Sequence, residues 1–499
     1  MKRLGFTFIK NALANIIRGG ASAVVALVLP HFLTHDLTVS QYSAWVLMLQ
    51  ISAWSNYLDF GLQTAVARHV AQAMERRDCV LRDRVISTAF LLLLSAGVLA
   101  LCIAFVVVWK MPALFPNAPL PLIGELRGGI LILSVSAALL LPLSTFTGIL
   151  VGLHRNEFPA LAIGGTRLLG AIGVLVLVRS THSLVWLALC LGIFNLAGGI
   201  LQYGFARRLL PDMHIRVHLV TWPITRTLMH YCLGLTAFTF AMLLVSGLDL
   251  TIVGYFTFSA TGYYAIASTI TGLLVGISSS IFSAMLTPLV VLQERQEYSR
   301  IRDLVLDSTR LGSYASLTIV IFAILAGKTL LRLWVGPQYA VQALPILEIL
   351  LWAQAIRLTG SAYSVALVAT AQQNYGIAAA LAEGFTNLLA SILGAYLFGP
   401  IGVAWGTLIG AICGILWAAI WVMRRAREIP VHSSTFTIEA VLRPLFCFLP
   451  LLLYIVVRNK LHLSLEYSIG AMLTSFLLLL WAGRIPRISF GKEHLNQAA

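Results

Sequence analysis

Three arginines, Arg18, Arg167 and Arg357, lie inside apolar runs long enough to cross a bilayer. A guanidinium deep in hydrocarbon costs about 2.5–3.5 kcal/mol on insertion scales, so such a residue faces a partner or a wet cavity. Its planar fork matches a phosphate or carboxylate with two parallel hydrogen bonds. Asp59 and Glu383 lie inside runs as well, and Asp249 closes one. Carboxylates so placed hold a cation, carry a proton or pair with an arginine. The chemistry open to these six residues is therefore anion binding and cation or proton exchange.

Polar neighbours repeat at helical spacing around them. Asn11, Asn15, Arg18 and Ser22 recur at i, i+4, i+7 and i+11, which is one helix face. Ser52, Asn56, Asp59 and Gln63 follow the same spacing in the next run. Further on, Gln354, Arg357, Ser361 and Ser364 form one face, and Glu383, Asn387 and Ser391 another. Arg18 and Asp59 stand at comparable depth, as do Arg357 and Glu383, so each pair is within reach of an ion pair. Two roles are open to such a pair: lining a polar passage, or fixing how two helices pack. Arg167 stands at the middle of its own run. Asp249 follows Thr239, Met242 and Ser246; a cation or proton site and a solvated helix cap are both open to it.

The elements that must carry these residues are membrane spans. A bilayer core about 30 Å thick takes about 20 apolar residues as a helix. On that measure about fourteen runs fill the chain, the first at 11–32, the second at 42–65 and the last at 467–483. The chain is 59% hydrophobic and 11% charged, against roughly 25% charged in globular proteins. Its longest polar connections, 207–227 and 424–440, are too short to bury a core of their own. The expected fold is an all-α polytopic membrane protein of about fourteen transmembrane helices.

The net charge of +15 is a topology signal. Of 34 Lys and Arg, 24 fall in alternate connections on one side, seven on the other and three inside runs. That asymmetry is the positive-inside pattern and leaves nucleic acid no role. It places both termini in the cytoplasm. Lys2, Arg3 and Lys10 precede the first run, which reads as an uncleaved helix because Arg18 and Gly19-Gly20 interrupt it. The connection 110–127, with four prolines, should be a rigid extended cover, whereas Asp307 and Arg310 should sit at a solvated rim. The six cysteines have no CxxC spacing. No nucleophile–histidine–acid set and no phosphate-cradling GxxxxGK loop can be assembled. No catalytic residue, metal or cofactor is expected.

A shift of 221 residues aligns 26–50 with 247–271, and Gln41-Tyr42-Ser43 falls over Gly262-Tyr263-Tyr264. Six runs separate the copies, which is the pattern of parallel repeats in transporters. The resulting division is an N-terminal lobe at 1–210, a C-terminal lobe at 211–430, and two added spans with a cytoplasmic tail at 431–499.

Several motifs resemble one family. They are Asn15-Ile16-Ile17-Arg18-Gly19-Gly20, Leu27 through Leu33 with Pro30, Gln41-Tyr42-Ser43-Ala44-Trp45, and Leu58-Asp59-Phe60-Gly61-Leu62 with Ala65-Val66-Ala67-Arg68. In the second half come Leu248-Asp249-Leu250-Thr251-Ile252-Val253-Gly254, Gly262-Tyr263-Tyr264-Ala265, and Gly399-Pro400-Ile401-Gly402-Val403-Ala404-Trp405-Gly406-Thr407. The chain resembles the Wzx-type polysaccharide flippases of O-antigen and capsule synthesis, in the multidrug/oligosaccharidyl-lipid/polysaccharide exporter superfamily. The glycine this family often carries at the Gln41 position is absent, which puts the turn into the second span in question.

The resemblance implies two six-helix bundles around a cavity that opens alternately to each side of the inner membrane. It implies a polyprenyl-pyrophosphate-linked oligosaccharide as cargo, with a polysaccharide polymerase and a chain-length regulator as protein partners. Arg18, Arg167 and Arg357, with Asn15 and Asn56, would face the pyrophosphate; Asp59, Glu383 or Asp249 would serve ion coupling or charge pairing. Two other readings stand beside it: a cation-coupled multidrug exporter of the same superfamily, and a membrane polysaccharide polymerase or glycosyltransferase. On the flippase reading, Arg18→Ala, Arg167→Ala and Arg357→Ala each reduce surface glycan while the protein stays in the membrane. Wild-type glycan in all three variants, measured by gel profile, would refute a cationic passage.

Overall fold

A backbone N–H or C=O in hydrocarbon has no water to bond, so an apolar chain of this length must satisfy its backbone within helices. The structure is a computed structural model and describes residues 19–20, 22–426, 428–461 and 465–482. Among the described residues the chain is helical throughout and carries no strand. In chain order the helices are α1 (22–36), α2 (Val39–Ala53), α3 (Leu62–Glu75), α4 (Cys79–Trp109), α5 (Met111–Leu114), α6 (Leu120–Gly152), α7 (Glu157–Thr181), α8 (Leu184–Leu209), α9 (Trp222–Met242) and α10 (Asp249–Phe256). They continue as α11 (Thr261–Ser283), α12 (Leu286–Glu294), α13 (Tyr298–Val335), α14 (Pro337–Ala369), α15 (Gln373–Phe398), α16 (Pro400–Trp417), α17 (Met423–Arg425), α18 (Ser433–Thr437), α19 (Arg443–Leu461) and α20 (Leu465–Ala482).

Among the described residues, eleven helices are long and apolar enough to cross a membrane, from Cys79–Trp109 to Ser433–Ile455. They correspond to the third through thirteenth expected spans. The first expected span lies partly outside the described residues, and of the last only Gly470–Leu479 is an apolar helix by the same measure. The second is not one continuous helix. It starts as α2 at a capping box, where Thr38 Oγ1 accepts from Gln41 N at 3.3 Å and Gln41 Oε1 accepts from Thr38 N at 3.0 Å. Gln41, in place of the family's glycine, completes that cap.

The helix then tightens into a 3-10 turn at Trp54–Asp59 and reverses through Phe60 (φ 51°) and Gly61 (φ 78°). Gly61 takes that conformation at no steric cost, and a Cβ there would come within 2.7 Å of Leu235. Ser52, Asn56, Asp59 and Gln63 therefore do not share a face, because the break changes the residues per turn. The proline-rich segment also differs from an extended cover. It folds as α5, and α6 begins at Leu120 with Pro121 in its first turn, where its missing N–H is harmless.

Packing divides the chain into two compact units. The first comprises Met1–Leu273, Thr329–Leu347 and Gly384–Thr407. Its core joins α3, α4 and α6 through Val66, Ile86 and Phe146, and includes Leu228 and Cys232 of α9. At its arginine-poor end, Ser43 Oγ accepts from Gly262 N at 3.0 Å and donates to Ser259 O at 3.2 Å. Tyr42 and Tyr263, aligned by the 221-residue shift, both meet the ring of Tyr339, at 5.7 and 5.2 Å between centroids.

The second unit comprises Leu274–Lys328, Glu348–Glu383 and Leu408–Ala499. Its core includes Ile301, Val305, Leu358, Tyr363, Val422 and Phe436. Arg310, expected at a solvated rim, is instead buried against Glu439 at 2.9 Å, with Asp307 at 3.3 Å and Arg443 also on Glu439. Burial of a guanidinium requires such carboxylates, and Glu439 of the thirteenth span supplies the one that sequence spacing could not place.

Lipid tails are as apolar as leucine, so helices in a membrane associate by close backbone approach. Gly399 (φ 63°) turns the chain from α15 to α16, with Pro400 opening the new helix. A Cβ on either Gly394 or Gly402 would overlap the carbonyl of the other. Gly402→Val should therefore cost about 1–3 kcal/mol or more and lower the melting midpoint. Gly204→Ala, where nothing lies within 4 Å of the added Cβ, should leave it unchanged or raised. Equal midpoints for the two variants would show that this contact does not hold α15 to α16.

Candidate functional site

The charged residue pairs of the spans resolve into three separate places. In the second unit, α14 carries Arg357 and α15 carries Glu383, and Arg357 Nε donates to Glu383 Oε1 at 2.5 Å. The side chains are 21% and 15% exposed. Gly414 of α16 makes room for the carboxylate, since a Cβ there would lie 2.8 Å from Glu383 Oε2. The pair expected from depth and spacing thus forms. Arg357 Nη2 is buried and has no hydrogen-bond partner among the described residues. The guanidinium is held by one edge, and its remaining donors suit an anion oxygen.

In the first unit, Asp249 is 6% exposed and sits in a nest of oxygens. Its Oδ2 accepts from Thr407 Oγ1 at 3.2 Å and from Tyr264 Oη at 3.3 Å. Its Oδ1 faces Asn387 Nδ2 at 3.4 Å. Asn387 and Ser391 are both fully buried, and Ser391 Oγ lies 3.1 Å from Asn387 Oδ1 and 3.3 Å from Val403 O. Thr407 Oγ1 is also 3.2 Å from Val403 O.

Local sequence explains why oxygens gather here. Between α9 and α10 the helix widens into a π-turn at Leu243–Gly247. That insertion takes carbonyls off the regular ladder, a feature that recurs at functional sites. Asn387 Nδ2 donates to Leu244 O at 3.0 Å and to Val245 O at 2.8 Å. Gly384 lets α15 approach, since its Cβ would fall 2.8 Å from Leu244 Cβ. Asp249 is thus neither a solvated cap nor the end of a span: the π-turn carries it inward, and α15 and α16 cover it. Its carboxylate accepts from two hydroxyls and an amide, and carboxylate, hydroxyl and carbonyl oxygens are also the ligand types that hard cations take.

The third place is the first unit's α1 and α7. Arg167 is exposed, and its Nη1 donates to Ser22 Oγ at 2.6 Å. The arginine thus meets the polar face to which Ser22 was assigned. Arg18 and Asn15 lie outside the described residues, and with them the Arg18–Asp59 pairing. Asp59 ends the 3-10 turn, and its Oδ1 is buried without a hydrogen-bond partner among the described residues. Asn56 is exposed.

Spacing joined Glu383, Asn387 and Ser391 on one face of α15. The contacts separate them: Glu383 binds Arg357, whereas Asn387 and Ser391 serve Asp249. Thr407, Tyr264 and the Val403 carbonyl were missed as site groups, although all three fall within the motifs noted above. A buried ion pair broken on one side costs roughly 3–5 kcal/mol, whereas its apolar replacement can be neutral. Arg357→Met and Glu383→Met should therefore each destabilise more than the double variant. Additive melting shifts would mean that the pair contributes no coupling.

Residues 37–345 match the family model described as polysaccharide biosynthesis protein. No curated protein matches the chain by sequence. Among solved structures, the chain is similar to the lipid II flippase MurJ in an inward closed conformation, with TM-score 0.68 and 14% identity, covering 96% of this chain and 98% of that one. It is also similar to an inward-facing MATE family multidrug resistance transporter of the MOP superfamily, with TM-score 0.63 and 16% identity, over 84% and 96% of the two chains. A Vibrio cholerae MATE transporter aligns with TM-score 0.58 and 14% identity, over 87% and 98%. The apolar helices, the glycine-mediated packing and the match across most of the chain lead to one assignment: this is a multi-pass membrane protein of the polysaccharide biosynthesis protein family, with a fold like that of the MurJ and MATE structures.

Proposed function

We propose that the protein is a flippase that carries a polyprenyl-pyrophosphate-linked oligosaccharide across the inner membrane by alternating access, coupled to a monovalent cation, for surface polysaccharide synthesis. Arg357 is the observation that carries this reading. It stands within an apolar span, pinned to Glu383 through Nε, with Nη2 buried and not bonded among the described residues. A pyrophosphate supplies the oxygens that such a donor lacks. The glycan and pyrophosphate cannot enter hydrocarbon alone, because each polar group without a partner costs several kcal/mol there. A polar passage between lobes 1–210 and 211–430 would shield them while the polyprenyl tail stays in lipid, with 431–499 as an addition. Arg18 and Arg167, with Asn15 and Asn56, would extend the anion-facing surface.

The Asp249 nest would take the cation, and Asp59 remains a second carboxylate for coupling. No GxxxxGK loop is present in the sequence, which leaves the substrate gradient, an ion gradient or the membrane potential, the last worth about 2.3 kcal/mol per charge per 100 mV. Of these, an ion gradient is taken as the driving force. The arginine-rich connections put both termini in the cytoplasm. A polysaccharide polymerase and a chain-length regulator would receive the cargo.

The test uses proteoliposomes holding the full chain and a fluorescent polyprenyl-pyrophosphate oligosaccharide. Sodium in place of choline should raise the flipping rate. Arg357→Ala should lower the rate at least about tenfold, since a hydrogen bond to a charged group contributes about 1.5–3 kcal/mol. Asp249→Asn should remove the sodium dependence and leave a slow basal rate. Transport of a cationic drug with no movement of the lipid-linked sugar would replace this reading with that of a multidrug exporter.

A further inference from the structure

The π-turn that feeds the Asp249 nest is held from a second direction. Gly247 O accepts from Gln50 Nε2 at 2.7 Å and from Trp54 Nε1 at 3.0 Å. Gln50 lies in α2 and Trp54 opens the 3-10 turn that continues it. A Cβ on Gly247 would fall 2.7 Å from Leu243 Cδ1 and 2.9 Å from Tyr57 Oη, so a larger residue there would displace those side chains. Further up α2, Ser43 binds both Ser259 O and Gly262 N. Ser43, Gln50 and Trp54 stand at i, i+7 and i+11, which is one helix face. That face grips the segment 247–262 at its two ends, and Asp249 lies between the grips.

We infer that Gln50 and Trp54 are positioning residues that couple cation occupancy at Asp249 to the Ser43–Gly262 contact at the arginine-poor end of the first unit. This rests on the cation-coupled reading above. Asn387 divides one amide between the π-turn carbonyls and the carboxylate. A cation drawn to Asp249 competes with that amide and ties α10, α15 and α16 through Asp249, Asn387 and Thr407. The π-turn responds because Asn387 holds Leu244 O and Val245 O. Gly247, two residues from Asp249, passes the change to α2 through two N–H donors on one carbonyl. Both donors matter chemically: a side chain of similar bulk without an N–H fills the space but leaves the carbonyl unheld. The Ser43–Gly262 bond at the far end of the same face then tightens with the nest. Linkage makes the effect reciprocal, so holding Gly247 favours the cation-binding geometry as much as the cation favours the hold.

Hydrogen–deuterium exchange on the full chain in nanodiscs tests this, with sodium chloride compared with choline chloride at saturating salt. In the wild type, sodium should raise the melting midpoint and slow exchange at 257–264, which contains the Gly262 amide. The Gln50→Met, Trp54→Phe double variant should keep a sodium-dependent rise in melting, because the nest is intact, but a smaller one, because the reciprocal coupling is gone, and lose the exchange difference at 257–264. Trp54→Phe alone, which leaves Gln50 on the carbonyl, should reduce that difference without abolishing it; it also serves if the double variant does not fold. An undiminished difference in the variants overturns the coupling and leaves the cation reading standing. A wild type whose melting responds to sodium while its 257–264 exchange does not has the same meaning. Absence of both responses in the wild type removes the cation reading and the coupling together.

Discussion

Water is absent from the medium this chain crosses, so each polar atom must find its partner within the protein or stand at considerable cost. The hydroxyls of the spans meet that condition locally. Ser52 returns to Met48 O at 2.7 Å, Thr166 to Ala162 O at 2.7 Å and Thr239 to Leu235 O at 2.8 Å. Charged groups meet it across helices: Arg357 with Glu383, and Arg310 between Asp307 and Glu439. Where a helix opens, as at Leu243–Gly247, side-chain N–H groups arrive from elsewhere to take the released carbonyls. Against that background the buried atoms that find no hydrogen bond among the described residues, such as Arg357 Nη2 and Asp59 Oδ1, stand out.

The same medium removes the hydrophobic force between helices and leaves close packing to hold them. The glycines at contact points show how. Gly148 and Gly152 of α6 lie so near the backbone of α3 that a Cβ would fall 2.7 Å from Gln63 O and 2.6 Å from Ala67 O. Gly97 of α4 approaches Ala138 O to a similar degree. Such contacts fix helix positions without polar atoms. They allow the few polar groups present to be placed for chemistry rather than for assembly. Gly384 and Gly414 do both at once: each brings a neighbouring element against α15, one at the Asp249 nest and one at the Arg357–Glu383 pair.

Two kinds of charged cluster therefore differ in kind. Around Arg310, three carboxylate and guanidinium partners close on one another, and Arg443 completes the group through Glu439. Such a cluster is electrostatically self-sufficient and anchors the thirteenth span to the ninth. At Arg357 the single carboxylate leaves Nη2 without a hydrogen bond among the described residues, and the Asp249 carboxylate accepts from Thr407, Tyr264 and Asn387.

Much of this was legible from residue order. Continuous apolar runs of about 20 residues point to helices, since the other arrangement satisfied in lipid, a closed barrel, uses strands of about 9–11 residues, and the alternating arginine-rich connections are the pattern of the positive-inside rule. Residue order placed Arg357 and Glu383 inside neighbouring spans but left their pairing open; the packing of α14 and α15 decided it. Periodicity failed where the helix itself departs from its regular repeat. The 3-10 turn at Trp54–Asp59 and the left-handed pair Phe60-Gly61 dissolve the expected face of Ser52, Asn56, Asp59 and Gln63. The π-turn before Asp249 turns an apparent surface cap into a buried carboxylate. Which residues cover that carboxylate was decided in three dimensions. Asn387, Thr407 and Tyr264 are far from it or off its face in sequence, and only the packing of α15 and α16 against the widened turn brings their oxygens and amide within hydrogen-bond distance.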